Sequence, residues 1–223
     1  MVIWVLSWWG DYADSKKIDE RYKSLLLWKN ILYIPRAMRE ERYPSCLEWI
    51  QHIFPISEWY TIHMLSEKEY RETNEDYLTQ YDGVYIGGGN TFRLWKLCKE
   101  TWFVEIIKQF INNKKPIYWG SAWAIIMGKE IHTSDDRNAV RISFEEAKWI
   151  NICNDYAICC HYEETKDNEI KDYVLNYQIP VICLPEWTGI VFDTHGETID
   201  GEKSAYKFDI AGNKIELPIA SEI

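Results

Sequence analysis

The chain has 223 residues, 47% hydrophobic and 27% charged, the makeup of an ordinary globular protein with room for a full core. Its formal charge is −10 at pH 7, and no basic stripe interrupts the acidic balance, which argues against nucleic acid as a partner. No apolar run reaches bilayer-spanning length, and the apolar start lacks a basic leader and a small-residue cleavage site, so a cytoplasmic protein away from membranes is expected.

Short apolar runs alternate with helical patterns along the chain. "VIWVLS" (2–7) reads as a strand and "DSKKIDERYKSLLLW" (14–28) as a helix that Asp14 or Ser15 can cap. "NILYIP" (30–35) is a second strand, "YPSCLEWIQHIF" (43–54) a helix and "WYTIHML" (59–65) a third strand. The polar stretch 66–80 reads as a helix opened by Ser66 and Glu69 at capping-box spacing. "GVYIGGG" (83–89) is a fourth strand, 91–113 holds one long or two short helices, and "PIYW" (116–119) runs into a helix at 121–128. Strand 156–162, helix 164–177 and strand 179–186 continue the pattern. From 188 on, turn signals at His195-Gly196, Asp200-Gly201 and Gly212-Asn213 predict antiparallel hairpins. Such alternation predicts one α/β domain over 1–223: a mostly parallel sheet with helices on both faces, followed by C-terminal β-hairpins. The cysteines (Cys46, Cys98, Cys153, Cys159, Cys160, Cys183) show neither C-x-x-C nor zinc-finger spacing, so reduced buried thiols are expected; no cofactor is expected either.

Ligands of such sheets bind beyond the carboxyl ends of the strands, where four features fall: Gly87-Gly88-Gly89-Asn90, Ser121, His161 and Glu186. The glycine turn is no dinucleotide fingerprint, because Phe92 stands where the third glycine belongs, and no P-loop lysine follows. It reads either as a plain tight turn or as bare backbone N–H groups facing a ligand. Ser121 sits at a strand-to-helix corner, where serine more often caps the helix. In the functional reading its hydroxyl is an exposed nucleophile, with oxyanion donors from Ala122 N–H and the Gly88-Gly89 turn. A nucleophilic serine needs a base. Of His52, His63, His132, His161 and His195, His161 ends an apolar strand at the expected edge. The orienting carboxylate is Glu186 by strand position, with Asp135 and Asp136 as rivals.

"YIGGGNTF", the Ser-Ala corner, "HTSDD", "HY" and "LPE", in that order, resemble dipeptidase E, the aspartyl dipeptidase family of serine peptidases, of which cyanophycinase is a usually longer relative. "NILYIPRA" resembles that family's second strand, and the likeness runs from about residue 2 to 193. It implies a class I glutamine amidotransferase-like (flavodoxin-like) fold with serine replacing the usual cysteine. It also implies Ser121 as nucleophile, His161 as base and Glu186 as acid, with Asp136 as the alternative acid. The implied substrate is a small peptide, a dipeptide with N-terminal aspartate, cleaved without a metal. Arg93, Arg137 or Arg141 could meet the aspartate, and a monomer or homodimer is expected. Two other readings remain: an esterase of the α/β-hydrolase type using Ser121, Glu186 and His195, and a binding protein of this fold that has lost catalysis.

The tryptophans depart from the resemblance. The family pattern G-x-S-A-G-A reads here Trp119-Gly120-Ser121-Ala122-Trp123-Ala124, and Trp8, Trp9, Trp28, Trp102, Trp149 and Trp187 also stand where glycine is expected. The chain has 12 Trp against 11 Gly, whereas average usage near 7% predicts about 16 glycines. A UGA codon meaning glycine in the source organism, written as tryptophan, accounts for both excess and shortage. Literal indoles at 119 and 123 are expected to open the corner and displace Ser121.

Overall fold

The computed structural model describes residues 4–7, 15–66, 69, 80–100, 103–136, 142–148, 151–193 and 196–223. Most of the expected helix 66–80 lies outside them, as do Asp14, Trp8, Trp9, Trp102, Arg137, Arg141, Trp149 and His195. The box that opens that helix is present: Ser66 N–H donates to Glu69 Oε2 (3.0 Å) and Glu69 N–H to Ser66 Oγ (3.3 Å).

Among the described residues the chain forms two sheets. The larger runs β3-β2-β4-β5-β1-β8-β9, built from β1 (Trp4–Ser7), β2 (Asn30–Ile34), β3 (Thr61–Met64), β4 (Gly83–Ile86), β5 (Ile117–Gly120), β8 (Thr188–Asp193) and β9 (Gly196–Gly201). The first five are mutually parallel; β8 and β9 add on antiparallel as a hairpin. Side chains alternate along each strand, as a pleated sheet requires. Val5, Ile31, Tyr33, Tyr85 and Tyr118 enter one apolar cluster, while Leu6, Leu32, Ile34, Val84, Ile86, Ile117 and Trp119 enter another. Helices α1 (Lys16–Lys23) and α2 (Tyr43–Ile53) close the first face through Ile18, Tyr22, Cys46, Ile50 and Ile53. Helices α3 (Thr91–Glu100), α4 (Phe103–Asn112) and α5 (Ala122–Met127) close the second through Leu94, Trp95, Cys98, Ile107, Phe110 and Ile126. Of the 91–113 segment, residues 91–100 and 103–112 are helical. At α1, Ser15 holds the cap position, but its hydroxyl donates to the buried Asp19 carboxylate (2.6 Å) instead of accepting a backbone N–H.

The smaller sheet, in the order β11-β10-β7-β6, was not expected. Its strands are β6 (Ala157–Cys160), β7 (Val181–Leu184), β10 (Ala205–Phe208) and β11 (Lys214–Leu217). The uniform strand–helix rhythm placed β6 and β7 in one continuous sheet, but local periodicity reports burial and not which edge a strand pairs with. Between β5 and β6 lie α5 and α6 (Phe144–Ala147); between β6 and β7 lies α7 (Asp167–Tyr177). Ala157, Cys159, Val181 and Cys183 pack toward α7, while Ile158, Cys160, Ile182 and Leu184 join the α3–α5 side of the main core. Helix α5 packs directly on β6, so the carboxyl end of β6 arrives beside the corner that follows β5. The β10–β11 turn closes on the Asp209 carboxylate, which accepts from the backbone N–H groups of Ala211 and Asn213 (2.9 Å each). All six cysteines are buried as free thiols.

Candidate active site

Strand β5 is buried along its length and lies between β1 and β4, with Trp119 opposite Leu6 and Ile86. Immediately after it the chain turns at Ser121. The Ser121 N–H donates to Ser7 O (2.7 Å), and its carbonyl accepts Ile125 N–H (2.9 Å) as α5 starts. Its backbone is held at φ 45°, ψ −102°, a strained conformation for any residue with a side chain and one that costs about 1–3 kcal/mol. His161, directly after β6, is also left-handed, at φ 54°. These two strained residues meet: Ser121 Oγ lies 3.0 Å from His161 Nε2. With the imidazole proton on Nδ1, the serine hydroxyl donates to Nε2.

His161 is exposed as a whole residue, yet enough protein surrounds its ring that lost solvation holds its pKa below the ordinary 6.5. Glu186 is the foremost charge opposing that fall. Below the ring, Lys166 Nζ donates to the His161 carbonyl (2.9 Å) and to Asp135 Oδ2 (2.7 Å), so one lysine tethers the histidine's backbone to the loop after α5.

The three carboxylates take different places. Glu186 follows β7, is exposed, and has no hydrogen-bond partner among the described residues; it reaches His161 through its charge. Asp136 is turned to α3, accepting Thr91 N–H (2.9 Å), Thr91 Oγ1–H (3.3 Å) and Ser134 Oγ–H (3.4 Å), and so it caps that helix. Asp135 is occupied by Lys166. Ser121, His161, Asp136 and Gly89 border one cleft of about 150 Å³. Gly89 has φ +147°, and a Cβ there would stand 2.4 Å from Ala37 O, so only glycine fits this wall. Gly88 and Ala122, next in sequence to Gly89 and Ser121, are buried.

The other described histidines are elsewhere. His52 Nδ1 contacts Glu48 O (2.7 Å) on α2, His63 pairs with Glu69 (3.0 Å), and His132 Nδ1 pairs with the buried Glu130 (3.0 Å). Two contributors escaped sequence reasoning. Lys166 lies in a polar run that gives no hint of its target, and Cys160, one residue before the histidine, points its thiol at Ser121 O (3.7 Å).

The expected displacement of Ser121 by the flanking indoles is not found. Trp119 and Trp123 are fully buried in the α3–α5 core with ring centroids 6.0 Å apart, and neither needs a positive φ. Both indoles run into the core instead of across the corner, and the serine keeps its histidine. The cost falls on Trp119, whose buried Nε1–H has no acceptor among the described residues. Among the described residues, tryptophan does occupy glycine-like backbone at Trp187 (φ 66°) and Trp59 (φ 69°).

A serine on a strained strand-to-helix corner with a histidine in hydrogen-bond reach is the geometry that a nucleophile elbow presents. Comparison with known proteins narrows the class. The model of peptidase family S51 matches residues 9–199, and the chain belongs to that family of serine-type peptidases. It is 27% identical over 197 residues to Peptidase E of Nostoc sp., covering 84% of this chain and 79% of the relative. It is 26% identical over 215 residues to a Drosophila melanogaster protein named "Probable alpha-aspartyl dipeptidase", covering 92% and 86%. The crystal structure of a peptidase from an acI-B1 Actinobacterium superposes with a TM-score of 0.70 at 16% identity, covering 97% of each chain. The fold is thus the flavodoxin-like, class I glutamine amidotransferase-like arrangement.

Proposed function

We propose that this peptidase cleaves short peptides, dipeptides with N-terminal aspartate foremost, through a Ser121–His161–Glu186 triad and an acyl-enzyme. The observation that carries the reading is the 3.0 Å Ser121–His161 contact at the strained corner. Neutral His161 accepts the serine proton as Oγ attacks the peptide carbonyl; the imidazolium then protonates the leaving amine, and water repeats the cycle on the ester. Glu186 stabilises the imidazolium by its charge. The N–H groups of Ala122 and the Gly88-Gly89 turn receive the oxyanion. The aspartyl preference is supported by the name of the Drosophila relative. Both sheets feed one shared core cluster, which supports reading the chain as a single domain.

The esterase reading loses ground because the histidine at Ser121 is His161, the residue that scheme leaves out. An Asp-X dipeptide library tests the proposal. The wild-type chain releases free aspartate, and Ser121→Ala loses at least about a thousandfold in kcat/KM. Undiminished hydrolysis by Ser121→Ala overturns it.

A further inference from the structure

On the far side of the Gly89 wall from Ser121 lies a second, larger hollow of about 580 Å³, lined by Ala37, Asn90, Arg39, Arg42, Arg93 and Lys96. The two share no lining residue and are separated by the packing of Gly89 on Ala37. Gly89 borders the cleft and packs on Ala37, and Asn90 N–H donates to Ala37 O (3.2 Å). In a chain of net charge −10, this hollow gathers four cations and no carboxylate. All four are exposed. Arg39, Arg42 and Arg93 make no ion pair with any described residue, and Lys96 has only a long one to Glu100 (3.7 Å). Acidic residues Glu40, Glu41 and Glu100 line a neighbouring hollow that shares Arg39, Arg93 and Lys96.

Three unpaired guanidiniums on one concave surface repel each other, and a fold keeps them together at a cost unless an anion visits. A single carboxylate is satisfied by one bidentate guanidinium, so three or four cations suit a ligand with several carboxylates. We propose that this hollow is an extended subsite of the peptidase, binding the additional carboxylates of multiply acidic short peptides whose scissile bond lies at Ser121. The assignment rests on the peptidase reading above and extends it from a single N-terminal aspartate to peptides with two or more further acidic side chains. Asn90 lines the hollow and directly follows Gly89 of the cleft wall in sequence. Its side chain accepts Arg93 N–H (2.8 Å), fixing the start of the helix that carries Arg93 and Lys96.

The test uses two peptides, Asp-Leu and Asp-Glu-Glu, in two assays. Binding to Ser121→Ala reads the hollow without turnover, and kcat/KM of the active chain reads its use. The triple-acid peptide binds Ser121→Ala more tightly than Asp-Leu, and the difference shrinks between 50 and 500 mM salt because the cations are exposed. Adding Arg39→Gln and Arg42→Gln weakens Asp-Glu-Glu binding about tenfold and leaves Asp-Leu unchanged. In the active chain the same pair raises KM for Asp-Glu-Glu with kcat intact. Equal binding of the two peptides, or an equal loss for both in the double variant, overturns the subsite. If neither peptide is hydrolysed by the active chain while the charge-dependent binding persists, the peptidase reading fails and the anion site stands.

Discussion

His161 is the residue on which activity is most sensitively poised. It must be neutral to take the serine proton, and burial holds its pKa below 6.5, so the acid limb of kcat/KM against pH falls below that value. Glu186 is the foremost charge raising that pKa. Glu186→Gln therefore moves the limb further toward acid while lowering kcat roughly tenfold, since an exposed charge acts without a hydrogen bond. Asp136→Asn shifts the limb less and instead lowers stability by about 1 kcal/mol through the lost α3 cap. A larger pH shift for Asp136→Asn would make Asp136 the third member of the triad. The tryptophans divide at this same scale. Trp59 is 84% exposed at φ 69°, so Trp59→Gly raises stability by about 1 kcal/mol in thermal melts whereas Trp59→Ala does not, because any Cβ meets the left-handed penalty. The glycine-codon expectation now rests more on Trp59 and Trp187 than on the serine corner. UGG codons at 59, 119, 123 and 187, or an intact mass from the native cells that matches tryptophan there, would end it.

Among the elements, α1 carries a second titratable group, one that does not line the cleft. Its Asp19 is buried, with Ser15 Oγ at 2.6 Å and Tyr85 Oη at 3.0 Å, and burial lifts its pKa from 3.8 to about 7 against the lowering by those two donors. The folded state thus favours the protonated acid: its stabilisation is complete below about pH 3.8 and is lost as pH rises through 7. Asp19→Asn keeps the shape and cannot ionise. At pH 8 it is more stable than the wild type, on the order of 2 kcal/mol, and at pH 4 the two converge. Denaturant titrations at the two pH values read this directly, and an equal difference at both would show that Asp19 does not ionise on this scale. Helix α3 illustrates how much an element boundary reveals before any coordinates. Asn90 announces its start in the sequence and does accept Arg93 N–H, but the second cap, Asp136, comes from 45 residues downstream and leaves no local mark.

Across the whole molecule, what was legible followed from periodicity and punctuation. Alternating apolar residues fixed which side of β2, β4 and β5 faces which helices, and glycine and proline marked the turns. The serine corner and the strand-end histidine were likewise visible as residues in series. Hidden were the pairings that depend on distant chain: the departure of β6 and β7 into their own sheet, the left-handed backbone that aims His161, and the lysine that tethers it. Because Ser121 leaves one sheet and His161 the other, their 3.0 Å contact registers how the two sheets are seated. In a denaturant series, peptidase activity accordingly disappears at a lower concentration than the circular-dichroism signal of either sheet; coincident midpoints would contradict this. Divided ownership of the pair also gives the fold a tuning route. Substitutions behind β6, around α7, can re-aim the imidazole while leaving the nucleophile's own scaffold untouched, so reactivity and the serine corner are free to diverge at separate rates.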